Sequence, residues 1–219
     1  MSLSGRSPGR PPVELDRILS AAVALVDDDG VDALTMRGLA KRLGSGTATL
    51  YRHFDSRDDL VAQVVDSVMG EAVTLSESAE GDSWQVALSV SAREMFAVLR
   101  RHPNIAPLML ERIPAGRNAV RLRERCLARL LHAGFEPPQA VRAWSSLARF
   151  VLGFGVQSSR PGGVDQRPDV WSTLDPEDFP ASSAVDAEET VSLDDEFAFG
   201  LQLFVSGLDT HARTWGIGN

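Results

Sequence analysis

The chain has little cysteine and no long apolar run. Its 219 residues include one cysteine, Cys126, which cannot close an intrachain disulfide and suits a reducing cytoplasm. No stretch reaches the roughly 20 consecutive apolar residues that a membrane helix needs. Residues 1–12 contain two arginines but no apolar core, so they are interpreted as a flexible basic arm rather than a secretory signal. We expect a cytoplasmic protein without a membrane segment.

The usual signatures of metal or cofactor chemistry are also missing. The four histidines (His53, His102, His132 and His211) are scattered without ligand-like spacing. No phosphate-binding loop, dinucleotide fingerprint or Ser-His-Asp order is present, and no nucleophile stands at a helical spacing from a base. The sequence therefore predicts neither an enzyme nor a metal or cofactor site.

The net charge of −8 is unevenly distributed. Between Ser158 and Phe199 there are 11 acidic and 2 basic residues, so the rest of the chain carries a charge of +1. Between Ala33 and Arg57, five basic residues stand against one acidic residue. The acidity belongs to one segment, and the basic patch leaves nucleic acid as a possible partner.

Strand signals are nearly absent, and apolar residues recur with the period of an α-helix. The expected helices are one that ends at Gly30, then about 35–43, 47–53, 58–77, 84–101, 105–111, 115–133, 138–157 and 194–213. Residues 158–190 are rich in Pro, Gly, Ser and acidic residues and indicate a long, mobile loop. We expect an all-α protein with an arm at 1–12, one domain at 13–77 and a second at 78–219.

The second and third expected helices are joined by the turn Gly44-Ser45-Gly46, which is typical of a helix-turn-helix. In that motif the later helix enters the major groove and its first half meets base edges. Its expected outward residues carry hydroxyls, a methyl, a phenol, an imidazole and a guanidinium, and they are Thr47, Ala48, Thr49, Tyr51, Arg52 and His53. Such groups can contact thymine methyls, phosphates and guanine edges.

These residues also carry a family resemblance. Leu-Thr-Met-Arg-Gly-Leu-Ala-Lys-Arg-Leu-Gly at 34–44, Thr-Leu-Tyr-Arg-His-Phe at 49–54 and Ser-Arg-Asp-Asp-Leu at 56–60 resemble the tetracycline repressor (TetR) family over residues 13–68. A weaker resemblance to the C-terminal domain of tetracycline repressors lies at 134–135, 150–153 and 197–208. Together the two resemblances imply a three-helix DNA-binding domain joined by a fourth helix to a helical domain for ligand binding and dimerisation.

The resemblance implies DNA contacts by particular residues. Thr47, Thr49 and Tyr51 are expected to touch the operator, and His53 and Arg57 to contact phosphate. The full expected set is Thr35, Arg37, Thr47, Ala48, Thr49, Tyr51, Arg52, His53 and Arg57. Two alternatives stay open: Tyr51 could be a core aromatic, and His53 could hydrogen-bond inside the bundle. Ser45 stands where the family has an apolar turn residue, which predicts looser turn packing.

The second domain is expected to bind an effector and a second copy of the chain. Candidate ligand residues are apolar apart from one histidine, and they are Met95, Phe96, Leu99, His102, Ile105, Leu108, Met109, Leu127, Leu131, Trp144 and Phe150. An ordinary core would contain the same residues. Pro107 stands where tetracycline repressors have a metal-binding histidine, so we expect a small apolar or aromatic effector without an obligatory metal.

The helices at 138–157 and 194–213 are apolar on more than one face, which favours a homodimer, although burial within a monomer is an alternative. The family resemblance implies that these two helices form a four-helix bundle with those of a second copy. The resulting hypothesis is a transcriptional repressor of double-stranded DNA, released from a palindromic operator by a small molecule. An activator, or a less specific DNA-binding protein with the same motif, is the alternative.

Overall fold

A computed structural model describes residues 14–76, 83–111, 114–159, 175, 177–184 and 191–217. Its helices are α1 (Leu15–Asp29), α2 (Met36–Leu43), α3 (Thr47–Leu50), α4 (Arg57–Ser76), α5 (Trp84–Arg101), α6 (Ile105–Glu111), α7 (Arg117–His132), α8 (Pro137–Ser158), α9 (Pro180–Ala184) and α10 (Leu193–Thr214). A single 3-10 turn lies at Val31–Ala33, and no strand occurs within these ranges. The prediction of an all-α fold is confirmed.

The chain divides into two compact units between Val64 and Val65, inside α4. In the first unit, α1 buries Ile18, Ala22, Leu25 and Val26 on one face, as their helical spacing predicts. Gly30 ends α1 at a φ of 83°, a backbone conformation that glycine adopts without steric cost. Helix α2 packs on α1, and α3 packs on α2. The almost fully buried residues of this part are Leu34, just before α2, Leu39 and Ala40 of α2, and Leu50 of α3.

The third helix is shorter than expected. Its regular part ends at Leu50 rather than near His53, and Tyr51–His53 form a turn. Backbone hydrogen bonds from Tyr51 N–H to the Thr47 carbonyl (3.1 Å) and from Phe54 N–H to the Leu50 carbonyl (3.0 Å) keep this turn coiled. Phe54, which is 1% exposed, anchors the end of the segment in the core.

In the second unit, α5 packs against α7, α8 and α10. Its buried face presents Trp84, Leu88, Met95, Phe96 and Leu99. Opposite lie Leu122, Cys126, Leu127 and Leu130 of α7. Cys126 is buried and unpaired with another cysteine, as expected for a thiol that fills the core. None of the described helices is long and apolar enough to cross a membrane.

Two of the sequence predictions concern the acidic segment and the arm. The short helix α9, at Pro180–Ala184, lies inside the segment that we predicted as loop, so that part of the prediction is wrong. Proline suits the first turn of a helix because its missing N–H needs no partner there. Most of 158–190, and the arm at 1–12, lie outside the described residues.

Candidate nucleic-acid interface and sensor site

The start of α2 is formed by a side-chain cap. Thr35 is the N-cap residue, and its hydroxyl oxygen accepts a hydrogen bond from the Gly38 N–H at 2.9 Å. Gly38 lies so close to the preceding chain that a Cβ there would be 2.5 Å from the Ala33 carbonyl oxygen. The exposed side chain of Arg37 lies in the first turn of this helix. Thr35 therefore has a structural role as a cap, whatever contact it makes with DNA.

The turn between α2 and α3 is a Schellman motif. Gly44 adopts a φ of 61°, its N–H donates to the Lys41 carbonyl (3.1 Å), and the Ser45 N–H donates to the Ala40 carbonyl (2.9 Å). The Ser45 hydroxyl oxygen is buried with no hydrogen-bond partner among the described residues. The turn thus has complete backbone bonding but a polar side chain at the position that usually makes an apolar contact.

The segment from Thr47 to His53 presents the expected contact residues together. Ala48, Tyr51 and Arg52 are exposed, and Thr47, Thr49 and His53 are half-buried. Tyr51 is 58% exposed, which excludes the alternative that it is a core aromatic. The His53 ring lies beside Phe54, with 6.3 Å between ring centroids. Because Leu50 and Phe54 are buried, the residues between them face solvent on a fixed support.

Within the first unit, the guanidinium of Arg57 contacts the chain just before α2. Its Nε–H donates to the Leu34 carbonyl at 2.9 Å, a bond that sequence reasoning missed. Ser56 and Asp59 form an altered capping box: Ser56 Oγ accepts from the Asp59 N–H (3.1 Å), whereas the Asp59 carboxylate accepts from the Asp55 N–H (3.1 Å). The return bond reaches one residue further upstream than expected.

The basic residues of this unit differ in whether a nearby carboxylate offsets their charge. Arg42 pairs with Asp28 and lies 3.7 Å from an oxygen of Asp29, so carboxylates of α1 offset its charge. Arg37, Lys41 and Arg52 are exposed. The exposed positive charges of the described part of this unit therefore lie on α2, in the turn after α3 and, at Arg17, on α1.

The eleven expected ligand residues have different environments in the second unit. Seven of them are buried: Met95, Phe96, Leu99, Ile105, Leu108, Leu127 and Trp144. His102, Met109 and Phe150 are half-buried. Leu131 is 46% exposed on α7, so it is not part of this core. His102 Nε2 lies 3.3 Å from a Glu71 oxygen, and Arg101 pairs with the same carboxylate, so His102 is engaged with α4.

A cluster of phenylalanines joins α5, α8 and α10. Phe96 and Phe197 stack with centroids 4.0 Å apart, and Phe150 and Phe154 lie 5.4 and 5.5 Å from Phe197. Phe154 and Phe197 were not among the expected ligand residues. The sequence could have indicated both, because Phe154 follows Phe150 by four residues on α8 and Phe197 belongs to the apolar pattern of α10. No group of three or more potential metal ligands occurs among the residues that the structure describes.

Helix α10 exposes large apolar side chains. Phe199 is 65% exposed and Leu203 is 58% exposed, one turn apart on the same helix. On α8, Val141 is 41% exposed. A run of exposed apolar residues on one helix face is typical of a surface that meets another protein.

Comparison with known proteins places both units in one family. Residues 18–64 match the family model of bacterial regulatory proteins of the tetR family, and residues 77–212 match the tetracyclin repressor-like C-terminal domain. The chain is 30% identical to the HTH-type transcriptional repressor DrrR1 of Streptomyces coeruleorubidus, over 94% of this chain and 82% of that protein. It is 29% identical to the class A tetracycline repressor from transposon 1721 of Escherichia coli, over 87% of this chain and 88% of the repressor.

Solved structures give the same result. The TetR family protein ActR of Streptomyces coelicolor, in complex with (S)-DNPA, matches with a TM-score of 0.81 and 29% identity over 93% of this chain and all of ActR. The complex of ActR with actinorhodin matches with a TM-score of 0.78 and 30% identity, over 92% of this chain and 99% of ActR. The chain belongs to the TetR family and is a DNA-binding transcriptional repressor.

Proposed function

We propose that this repressor binds a palindromic operator as a homodimer through the exposed segment Thr47–His53, and that an apolar or aromatic effector releases it. The observation that carries the proposal is the segment itself: Tyr51 and Arg52 are exposed between two buried anchors, Leu50 and Phe54. Groups that protrude from a rigid support can read base edges with little loss of entropy. The protein would act in the cytoplasm, where it has access to chromosomal DNA.

Several positions around this segment suit phosphate contacts. Arg37 is exposed in the first turn of α2, and Arg57 begins α4. Phosphate contacts set the position of a protein on the duplex, and base contacts set its sequence preference. We assign Arg37, His53 and Arg57 to phosphate or backbone contacts, and Thr47, Ala48, Thr49, Tyr51 and Arg52 to the groove. Thr35 orders α2 through its cap.

The proposed dimer uses α8 and α10. An isologous interface needs a self-complementary patch on each copy, and Phe199 and Leu203 supply an apolar one on α10. We call the exposed segment Thr47–His53 the reading segment. The reading segments of two copies bound to one face of a duplex must lie about 34–36 Å apart, so the dimer sets the spacing of the two operator halves. The exposure of these side chains argues against the alternative that α10 is entirely buried within a monomer.

The proposed effector is aromatic or apolar. The phenylalanine cluster around Phe197 provides ring faces and edges, and such surfaces favour planar aromatic partners. The structures of ActR with (S)-DNPA and actinorhodin support a small-molecule effector for a protein similar to this one. His102 pairs with Glu71, so we do not assign it to a metal, and we expect release without added magnesium.

The alternative that the sequence left open was an activator, or a less specific DNA-binding protein, with the same segment Thr47–His53. Activation and repression differ in where the operator lies relative to the promoter, and the protein's own chemistry is the same in both. A nucleoid-type protein would bind random DNA almost as well as its preferred duplex. A specific repressor should prefer its operator by about 10³-fold or more.

The test is to select bound duplexes from a random pool with the full-length protein, followed by release of the selected duplex by aromatic compounds with and without magnesium. We expect one enriched palindrome and magnesium-independent release. A non-palindromic preference would contradict the dimer, and a specificity ratio near one would contradict the repressor. Release by tetracycline only when magnesium is present would contradict the proposed effector class.

A further inference from the structure

The first turn of α7 is capped by a residue from another helix. The N-cap position of α7 is Gly116, which has no side chain to accept a hydrogen bond. Instead, Asp66 of α4 accepts through its carboxylate Oδ1 from the Asn118 N–H (2.9 Å) and the Ala119 N–H (3.0 Å). These N–H groups would otherwise lack an intrahelical partner. A negative carboxylate is also favoured at the positive end of the α7 dipole.

The two glycines at this junction make the approach possible. A Cβ at Gly116 would lie 2.2 Å from the Asp66 Cγ, so any other residue there must displace the carboxylate. A Cβ at Gly70 would lie 2.9 Å from Asn118 Nδ2. That amide donates in return to the backbone carbonyl of Asp66 at 3.0 Å. Asp66, Gly70, Gly116 and Asn118 thus form a reciprocal contact, which we call the α4–α7 latch.

The same stretch of α4 has further bonds within the second unit. Glu71 pairs with Arg101 and His102 at the end of α5, and Arg125 of α7 donates through Nη1 to the Val73 carbonyl (3.2 Å). Of these bonds, only the latch supplies acceptors for the N–H groups at the start of a helix. A serine at position 116 would cap α7 locally, and α7 would then need nothing from α4.

We propose that the α4–α7 latch is the regulatory link through which the sensor unit and α4 control each other. The proposal rests on the proposed function and deepens it. Because α7 borrows its cap from α4, any shift of α4 that withdraws Asp66 loosens the first turn of α7. Thermodynamic linkage requires the reverse as well: a sensor state that moves the start of α7 must move α4. α4 continues without a break to Arg57 in the DNA-binding unit.

The test is amide hydrogen exchange on the full-length protein, with and without the duplex selected from the random pool. The reporting amides are Asn118 and Ala119, which donate directly to Asp66. In the wild type we expect saturating duplex to slow their exchange by about fivefold or more. In Asp66→Ala we expect fast exchange that the duplex does not change. Asp66→Asn, which keeps an acceptor oxygen, should restore both the protection and the response.

Gly116→Ser separates the latch from helix stability. Its hydroxyl caps α7 locally, so the two amides should stay protected, but the displaced Asp66 should leave them insensitive to the duplex. By the same linkage, Asp66→Ala and Gly116→Ser should bind the duplex about fivefold or more weakly than wild type, and Asp66→Asn should bind it as wild type does. Equal duplex responses in Gly116→Ser and wild type, or no response in wild type, would overturn the latch while DNA binding stands. Failure to select any duplex would overturn the repressor and the latch together.

Discussion

Arg57 Nε–H donates to the Leu34 carbonyl at 2.9 Å and so ties the first turn of α4 to the chain just before α2. The contact spans 23 residues and is partly buried. A guanidinium has five N–H donors in a rigid fork, so one can serve the fold while others face a phosphate. The position combines a structural bond with the phosphate contact that we propose.

The two roles of Arg57 should separate on substitution. Arg57→Ala should weaken binding to all duplexes alike and reduce the slope of log affinity against log salt by about one. It should also lower the free energy of unfolding by about 1–2 kcal/mol, because the Leu34 carbonyl loses its donor. Arg57→Lys should keep the salt slope and lose stability. Salt titrations and denaturant unfolding measure the two effects, and an unchanged slope in Arg57→Ala would exclude the phosphate contact.

Arg52 should determine sequence preference. It is exposed in the turn after α3, and arginine discriminates guanine by about 1–3 kcal/mol when it binds O6 and N7. Arg52→Ala should change the preferred base at one position in each half-site. Lys41→Ala, which removes a charge that is also exposed, on α2, should weaken all sequences alike. Selection from a random pool with each variant measures this, and identical preferred duplexes for wild type and Arg52→Ala would refute the assignment.

Ser45 should be a weak point of the turn. Two other helices end in the same motif: Phe135 follows Gly134 after α7, Ile217 follows Gly216 after α10, and both residues are buried. Ser45 instead buries a hydroxyl without a partner among the described residues. Ser45→Val should therefore be more stable than the isosteric Ser45→Thr by about 1–2 kcal/mol in chemical denaturation. Equal stabilities would show that the hydroxyl is satisfied.

Cys126 should be unreactive and should couple stability to alkaline pH. Burial raises the pKa of its thiol from 9.0 to about 11, against the smaller opposing effects of Ser91 and Arg125. The folded state holds the proton more tightly, so the stabilisation is fully present below about pH 9 and is lost as pH rises towards 11. Cys126→Ala should show a shallower loss of stability over this window. Identical pH dependence in both proteins would place the thiol in a solvated environment.

Phe199 should be required for dimerisation. Phe199→Glu places a charge in the proposed apolar interface, and we expect a monomer in sedimentation and a loss of affinity for the palindrome of about 100-fold or more. Val191→Glu, which adds the same charge at a site that is 53% exposed before α10, serves as the control and should remain dimeric. A dimeric Phe199→Glu protein would move the interface elsewhere.

The all-α fold and the helix-turn-helix could be predicted because their signals are local. The apolar period of α1 and the glycine at position 44 act within a few residues, and the helix ends follow from proline, glycine and capping residues. The prediction erred where local signals were weak. Helix α3 ends earlier than expected. Helix α9 was not predicted, because it has only five residues and lies within a polar segment. The sequence also could not predict the exposure of Tyr51, because that exposure depends on which neighbouring residues form the core.

The contacts that couple distant parts of the chain depend on tertiary structure. The pair of Asp66 and Asn118 joins residues 52 positions apart, and that of Arg57 and Leu34 joins residues 23 apart. An aspartate in a helix can face water, an ion or another helix end, and only the packing of α4 on α7 selects among them. The sequence by itself determined most of the helices, the helix-turn-helix and the family, because periodicity and turn chemistry are short-ranged. Only the tertiary structure decided which side chains of different helices are in contact, because those residues lie far apart in the sequence.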